Sequence, residues 1–148
     1  MNVATFISGL PHFDGLEQHD IDALVAALDV RDCADGAVFV REGMRGDAVF
    51  LLLEGAVQVS RERGRTHQEL NRLRPGDLFG LIALVDDEPR SATCRAMGPA
   101  QVGSWPKSVV TLLINQRAPI AHAFQLALAT QLARDFRQLD RRVRTQLR

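Results

Sequence analysis

Apolar positions follow a helical repeat at the start of the chain. Residues 1–30 place apolar side chains three and four apart, at Ile21, Leu24, Val25 and Leu28. This spacing puts them on one face of a helix. Asp20 stands directly before the run, so it is a candidate N-cap. The sequence therefore predicts a helical N-terminal segment.

The pattern changes over residues 36–105, where short apolar runs alternate with turn signals about every ten residues, as in all-β domains. Glycine-containing pairs such as DG at 35, EG at 54 and GP at 98 mark the candidate turns. Val38 and Val40 alternate with Phe39, the period expected of a half-buried strand. The predicted strands are AVFVREG, AVFLLLEG, AVQVSRE, HQELNRL and SATCRAMG. Together they predict a small antiparallel barrel or sandwich.

Helical spacing returns after residue 105. The segment WPKSVVTLLINQ predicts a helix with Pro106 in its first turn. Pro119 then opens a run without glycine or proline that reaches the C-terminus. Its apolar side chains step by fours and threes through Ile120, Phe124, Leu128, Leu132, Phe136, Leu139, Val143 and Leu147. We expect the first half of this helix to pack on the barrel and the second half to pair with a second copy. The alternative is that the whole stripe packs on its own barrel.

Charge and composition narrow the function classes. The 148 residues carry 18 basic and 18 acidic side chains, a formal net charge of zero. This balance argues against a nucleic-acid partner, and the arginines near the C-terminus suit the dipole at a helix end. Cys33 and Cys94 have no ligand-like spacing, which favours a reducing compartment. With no secretory signal and no apolar run long enough to span a membrane, the sequence predicts a cytoplasmic protein without a membrane segment.

The sequence contains no pattern of residues typical of an enzyme active site. Metal-dependent enzymes on small barrels need histidines and a carboxylate clustered on neighbouring strands. The four histidines are His12, His19, His67 and His122, and they lie far apart in the sequence. Neither a catalytic triad pattern nor a phosphate-binding P-loop is visible. The sequence therefore predicts no catalytic residue, no metal site and no enzyme activity.

Three segments resemble one family when read in order: GAVFVREGMRGDAVFLLLEGAVQV, RPGDLFG and PRSAT. The chain resembles the cyclic nucleotide-binding domain of catabolite-activator-type regulators, cyclic-nucleotide-dependent kinases and gated channels. The resemblance covers nearly the whole chain. It implies a mainly β fold, a double-stranded β-helix or jelly-roll barrel with N-terminal helices and a long C-terminal helix. On this basis residues 1–148 form a single domain, with the barrel at about 31–105 and the long helix at about 119–148.

The resemblance also implies a phosphate-binding cassette, formed by Gly80, Leu81, Ile82, Ala83, Arg90 and Ser91. Gly80 would let the backbone turn close to a ligand. Free N–H groups at the start of a one-turn helix would point at an anion. Arg90 would bind two phosphate oxygens with its planar fork, and Ser91 would add a contact. The implied ligand is a cyclic nucleotide such as cAMP or cGMP, and no other cofactor is implied.

Leu81 departs from the family pattern, in which a glutamate follows FG and accepts a hydrogen bond from the ribose 2′-hydroxyl. Leucine cannot accept this bond, and the loss costs about 1.5–3 kcal/mol. That corresponds to roughly a ten- to hundredfold weaker affinity. A ligand without a free 2′-hydroxyl at that position, or a larger cyclic dinucleotide, would tolerate Leu81 better.

Two further features of the site stay open. In dimeric family members the long helix covers the purine, and the candidates here are Thr130, Arg134, Arg137 and Gln138. Phe136 is either a stacking residue or, as its spacing favours, part of the core or the dimer seam. The acidic residues 86–88 form a solvated loop, or one of them pairs with Arg90.

Two functions are compatible with these residues. The first is a sensor module in which an anionic nucleotide binds at the cassette and shifts the long helix. The second is a ligand-free structural dimerisation or protein-docking module, in which Leu81 fills the sugar pocket.

Overall fold

The computed structural model describes residues 1–147. Its helices are α1 (Val3–Ser8), α2 (Gln18–Ala27), α3 (Lys107–Gln116) and α4 (Ala118–Gln146). Its strands are β1 (Asp29–Cys33), β2 (Val38–Val40), β3 (Ala48–Arg63), β4 (Thr66–Leu73), β5 (Leu78–Phe79) and β6 (Thr93–Pro106). Short 3₁₀ helices lie at Pro11–Phe13 and Leu81–Leu84. Within this part of the chain, no helix combines the length and the apolar character needed to cross a membrane.

The six strands form one antiparallel sheet. Its main path runs β1-β6-β3-β4, with β2 paired to β6 and β5 paired to β3. Because the path has two ends, the sheet does not close into a barrel. Its arrangement is jelly-roll-like. The helices flank it at both chain ends. The predicted fold class, mainly β with flanking helices and a long C-terminal helix, is confirmed.

Two predicted turns are β-bulges within long strands. Gly55 lies inside β3 with φ 92°, and a Cβ there would lie 2.6 Å from the carbonyl oxygen of Pro99. Gly98 lies inside β6 with φ 78°. The pairing of β3 with β6 shifts register on both sides of Glu54. Glycines at such positions bend a strand without ending it, so the two strands predicted around Gly55 are one.

The helix boundaries also differ from the predictions in detail. Helix α2 begins earlier than expected, with Glu17 as its N-cap and Asp20 at the third position. The backbone N–H of Glu17 donates to the Asp20 carboxylate over 3.1 Å, and Arg117 lies 3.4 Å from the same group. Pro106 is the last residue of β6 and the N-cap of α3, rather than part of its first turn.

The main hydrophobic core joins the helices to one face of the sheet. Trp105 and Phe124 lie at its centre, with ring centroids 5.8 Å apart. The indole N–H of Trp105 donates to the Leu24 carbonyl over 2.9 Å, which ties α2 to β6. A second cluster, including Phe79 and Val57, joins side chains of strands β2 to β6. The cassette segment lies between these two clusters.

The apolar stripe of α4 divides at the middle of the helix. In the first half Ile120, Ala123, Phe124 and Ala127 are buried. In the second half Leu132, Phe136, Leu139 and Val143 are exposed, Phe136 to 70%. Steps of four residues on a helix of 3.6 residues per turn drift around the axis, which carries the later positions away from the barrel. The alternative in which the stripe packs entirely on its own barrel is therefore wrong.

Candidate functional site

A cavity of about 990 Å³ lies between the rolled sheet and the second half of α4. Gly80, Leu81, Ile82, Arg90 and Ser91 all line it. The sixth predicted residue, Ala83, does not line the cavity and is fully buried beneath it. The fold thus gathers five of the six predicted residues around one space.

Gly80 makes the turn that starts the cassette. Its φ is +75°, in the left-handed region that residues with a Cβ rarely adopt. A Cβ would also lie 2.9 Å from the carbonyl oxygen of Ala48 on β3. The close approach that requires glycine is therefore to the protein's own strand.

The short helix Leu81–Leu84 follows directly. The first N–H groups of a helix have no partner within it, so they are available to an anion. The N–H of Ala83, however, donates to the Gly80 carbonyl over 3.2 Å. The N–H groups that begin the turn are consequently those of Leu81 and Ile82, and Ala83 contributes packing.

Leu81 is 1% exposed. Its side chain belongs to the main core cluster with Leu78, Val49 and Trp105, although the residue also touches the cavity wall. Leu81 therefore contributes to the core, and it offers the cavity no side-chain hydrogen-bond acceptor.

Arg90 supplies a buried cation to the cavity wall. The residue is 8% exposed, and its Nη2 donates to the carbonyl oxygens of Asp86, over 3.0 Å, and Glu88. Its Nε is buried and has no hydrogen-bond partner in the described chain. In residues 1–147 no carboxylate lies within 4.0 Å of the guanidinium. The predicted alternative of an acid paired with Arg90 is wrong, because backbone carbonyls of the same loop hold the side chain.

The carboxylates of this loop are engaged elsewhere. Asp87 binds the ammonium group of Lys107 over 2.9 Å, and this hydrogen bond lowers the pKa of Asp87. Asp86 accepts a hydrogen bond from the backbone N–H of Glu88 over 2.7 Å. The loop therefore presents its carbonyl dipoles, rather than its charges, to Arg90.

Gly46 lies against the Arg90 side chain. A Cβ at Gly46 would lie 3.4 Å from both the Cδ of Arg90 and the Cβ of Ala83. A second cavity of about 240 Å³ borders the same place and shares Gly80 and Arg90 with the large one. Arg90 therefore lies between two spaces.

Arg61 is a site residue that the sequence reasoning missed. It lines the large cavity, and its Nε donates to the carbonyl of Ser91 over 3.1 Å. The register of β3 with β6 pairs Ser60 with Thr93, which brings Arg61 next to the PRSAT segment. That signal exists only once the strand pairing is known, since 30 residues separate Arg61 from Ser91.

The second half of α4 covers the cavity. Thr130, Arg134, Arg137 and Gln138, the candidates for base recognition, all line it. Arg134 lies 3.7 Å from the Asp77 carboxylate. Phe136 does not line the cavity. It lies instead on the exposed apolar stripe of α4.

His12 is a second residue that the sequence did not identify as part of the site. It lines the cavity, and its Nε2 is buried without a hydrogen-bond partner in the described chain. Burial, with a smaller effect of the nearby Arg134 charge, lowers the pKa of His12. His12 is therefore neutral at pH 7 and adds no charge to the site.

Among residues 1–147 no group of three metal-binding side chains lies close enough to hold an ion.

Comparison with known proteins identifies relatives over most of the chain. The family described as "Cyclic nucleotide-binding domain" matches residues 30–117. A cAMP-dependent protein kinase regulatory subunit of Blastocladiella emersonii is 32% identical over 117 residues, which cover 78% of this chain. The corresponding Dictyostelium discoideum subunit is 38% identical over 96 residues, 62% of this chain. These matches cover 29% and 28% of the two relatives, so the chain corresponds to under a third of their length.

Solved structures of the same family are also similar to this chain. The catabolite activator protein of Thermus thermophilus has a TM-score of 0.75 and 29% identity, with 91% of this chain and 62% of that chain covered. The regulatory domain of Toxoplasma gondii PKA, crystallised with cAMP, has a TM-score of 0.75 and 25% identity, with 88% and 48% covered. A cyclic nucleotide-binding domain from Methylobacillus flagellatus has a TM-score of 0.82 at 20% identity, covering 97% and 82%, which supports the fold alone.

Proposed function

The chain belongs to the cyclic nucleotide-binding domain family, and we propose that it is a regulatory sensor module that binds an anionic nucleotide at Gly80–Ser91. Arg90 is the observation that carries this proposal. The phosphate of the nucleotide would bind the Arg90 guanidinium, with the N–H of Ile82 and the Ser91 hydroxyl as further donors. The relatives named for cAMP dependence support a cyclic nucleotide as the ligand class. The module carries out no catalytic step of its own.

The electrostatics of Arg90 favour an anion. A buried charge is costly unless an opposite charge or several hydrogen bonds compensate it. The two carbonyls that hold Arg90 are neutral, and its buried Nε is unpartnered among residues 1–147. A phosphate would supply the opposite charge and accept from the planar fork at two positions.

The loop that holds Arg90 is also connected to the C-terminal helices. Lys107, the first residue of α3, binds the Asp87 carboxylate and donates its backbone N–H to the Asp47 carbonyl over 2.7 Å. Helix α3 packs against α4, whose second half covers the cavity. A ligand that moves the loop would therefore shift α4, provided that it binds the two arrangements with different affinity.

Leu81 sets the ligand preference. A ribose with a free 2′-hydroxyl would face an apolar side chain, so cAMP and cGMP would lose about 1.5–3 kcal/mol relative to a site with an acceptor. The proposed module therefore binds these two nucleotides more weakly than a site with glutamate at this position would.

Thermal unfolding with and without millimolar cAMP or cGMP tests the proposal. A ligand at a hundred times its dissociation constant stabilises the fold by about 2.7 kcal/mol. For a domain of this size the midpoint would rise by roughly 5–10 °C. Arg90→Gln should abolish the rise, whereas Arg63→Gln, an exposed arginine outside the cavity, should leave it intact. A rise that persists in Arg90→Gln would contradict binding at the cassette.

Self-association through α4 is part of the proposal. Leu132, Phe136, Leu139 and Val143 are spaced by four, three and four residues, the repeat of a coiled-coil seam, and all four are exposed. A second copy carries the same stripe, so a two-fold pairing buries both.

Cys33 and Cys94 are both free thiols, which fits the reducing conditions of the cytoplasm, where we place the protein.

Sedimentation velocity tests the dimer. The unmodified chain should sediment as a dimer at micromolar concentration, and Phe136→Glu should sediment as a monomer. Leu112→Glu is the control, because Leu112 is also an exposed apolar residue but lies on α3 rather than on the stripe. A monomeric unmodified chain at high micromolar concentration would contradict the proposed homodimer.

A ligand-free dimerisation or docking module is the second candidate function. The burial of Leu81 in the main core favours it, because a side chain held in the core offers a ribose no hydrogen-bond acceptor. Under this function neither nucleotide changes the unfolding midpoint, while Phe136→Glu still dissociates the dimer. The two experiments above therefore separate the candidates.

A further inference from the structure

The large cavity carries more positive charge than one phosphate group requires. Besides Arg90, the sheet and the turn after β4 contribute Arg61, Arg72 and Arg74 to its wall. Helix α4 contributes Arg134, Arg137, Arg141 and Arg142. The lining carboxylates are Asp77, Asp86 and Asp135. Eight arginines against three aspartates give the cavity a surplus of five positive charges.

Several of these arginines already have partners within the protein. Arg72 pairs with Glu69 at 3.0 Å, and Arg134 lies 3.7 Å from Asp77. Arg142 donates to the carbonyl of Leu70 over 2.9 Å. Arg134 and Arg142 join α4 to the opposite wall of the cavity, and Arg72 is neutralised within its own strand, so these three are not the main anion-binding groups.

Arg74, Arg137 and Arg141 differ from that group. In residues 1–147 none of the three has an ion pair within 4.0 Å. Arg137 and Arg141 are four residues apart, so their side chains lie together on one face of α4. They belong to the helix, whereas Arg90 belongs to the cassette, so the cavity offers two separate cationic positions on different elements.

We propose that the natural ligand carries a second phosphate group, separated from the first, which Arg137 and Arg141 bind while Arg90 binds the first. This inference rests on the proposed function. Cyclic dinucleotides have this chemistry. The cavity of about 990 Å³ is at the upper end of the roughly 300–1,000 Å³ usual for ligand sites, which leaves room for two nucleotides. The second phosphate contact would offset the hydrogen bond that Leu81 cannot make.

Isothermal titration with cyclic di-GMP, cyclic di-AMP, cAMP and ADP tests this ligand class. At least one cyclic dinucleotide should bind tenfold or more tightly than cAMP. Arg137→Gln combined with Arg141→Gln should weaken its affinity roughly ten- to hundredfold, the loss expected for a charge-assisted contact. Arg141→Gln alone should change cAMP affinity by less than about threefold, because Arg141 lines the cavity but is not among the candidates for base recognition. Arg144→Gln is the control, because Arg144 lies on the same helix, pairs with Asp140 at 3.2 Å and does not line the cavity.

The outcomes distinguish this inference from the function on which it rests. If cAMP binds through Arg90 but no cyclic dinucleotide binds more tightly, the second phosphate site is refuted and the sensor function stands. If ADP binds more tightly than either dinucleotide, the ligand has adjacent phosphates and the inference is also wrong. If none of the four nucleotides binds, both the inference and the sensor function fail. A dinucleotide that loses no affinity in the double variant would overturn the role of Arg137 and Arg141.

Discussion

Replacing Leu81 by glutamate tests whether this position belongs to the core or to the ligand site. Leu81→Gln is the matched control, since glutamine has nearly the same shape without the charge. Both substitutions remove an apolar side chain that is 1% exposed. The difference between the two variants therefore isolates the cost of placing a negative charge in the main hydrophobic core.

The magnitude follows from burial and protonation. Both variants should lose about 1.5–3 kcal/mol of apolar burial, together with about 1–3 kcal/mol for an unpaired polar group. The charge of the glutamate adds a further cost, but the buried carboxyl can instead remain protonated. Protonation costs about 1.4 kcal/mol per pH unit above the ordinary pKa of about 4.3, so the extra cost is at most about 4 kcal/mol at pH 7.5. At pH 5.5 the same limit is about 1.6 kcal/mol.

Urea unfolding of both variants at pH 7.5 and 5.5 measures this difference. Burial raises the pKa of the introduced glutamate in the folded state, so the native state binds more protons than the unfolded state. Its stability relative to Leu81→Gln should therefore rise as the pH falls. A glutamate variant as stable as the glutamine variant at pH 7.5 would refute the reasoning. It would show that the side chain opens towards the arginines of the cavity.

Three further predictions concern the turn, the core and the pH dependence. Gly80→Ala should lose at least about 1–3 kcal/mol more than Gly98→Ala in urea unfolding, because both have positive φ but only Gly80 would bring a Cβ against a backbone carbonyl; equal losses would contradict this contact. Trp105→Phe should cost about 1–3 kcal/mol, since the Leu24 carbonyl loses its donor, and an unchanged urea midpoint would argue against that bond. Burial lowers the pKa of His12, so the unfolded state takes up its proton first and stability falls as the pH drops below about 6.5. His12→Gln should reduce this pH dependence in urea unfolding between pH 5 and 7.5, and an unchanged slope would contradict it.

The sequence predicted the fold class because two signals agreed over long segments. Period-two strands between turn residues indicated the sheet, and the unbroken run after Pro119 indicated α4. The turns at Gly55 and Gly98 were mispredicted because a glycine with positive φ serves equally well in a turn and in a bulge. The pairing of β3 with β6 decides between these possibilities, and no local pattern encodes it.

Site residues that are close together in the sequence were easier to predict than those that strand pairing and helix packing bring together. Gly80 and Arg90 lie in short motifs whose spacing can be read directly. Arg61 reaches Ser91 only through the sheet register, and His12 reaches the cavity only because the Pro11–Phe13 helix packs against α4. Whether Arg90 pairs with a carboxylate or with carbonyls also depends on Lys107, which binds Asp87 from another element.

Helix α4 connects ligand binding to self-association because it uses different faces for the two. Arg134, Arg137 and Arg141 line the cavity, whereas Leu132, Phe136 and Val143 do not line it and remain exposed; Leu139, the fourth residue of the stripe, is exposed and also borders the cavity. At 3.6 residues per turn these two sets lie on roughly opposite sides of the helix. A ligand can therefore bind one side while a second copy of the chain packs on the other. Any movement of α4 towards a bound anion also moves the exposed stripe. If the two events are coupled, thermodynamic linkage requires dimerisation to change ligand affinity by the same factor by which the ligand changes dimerisation.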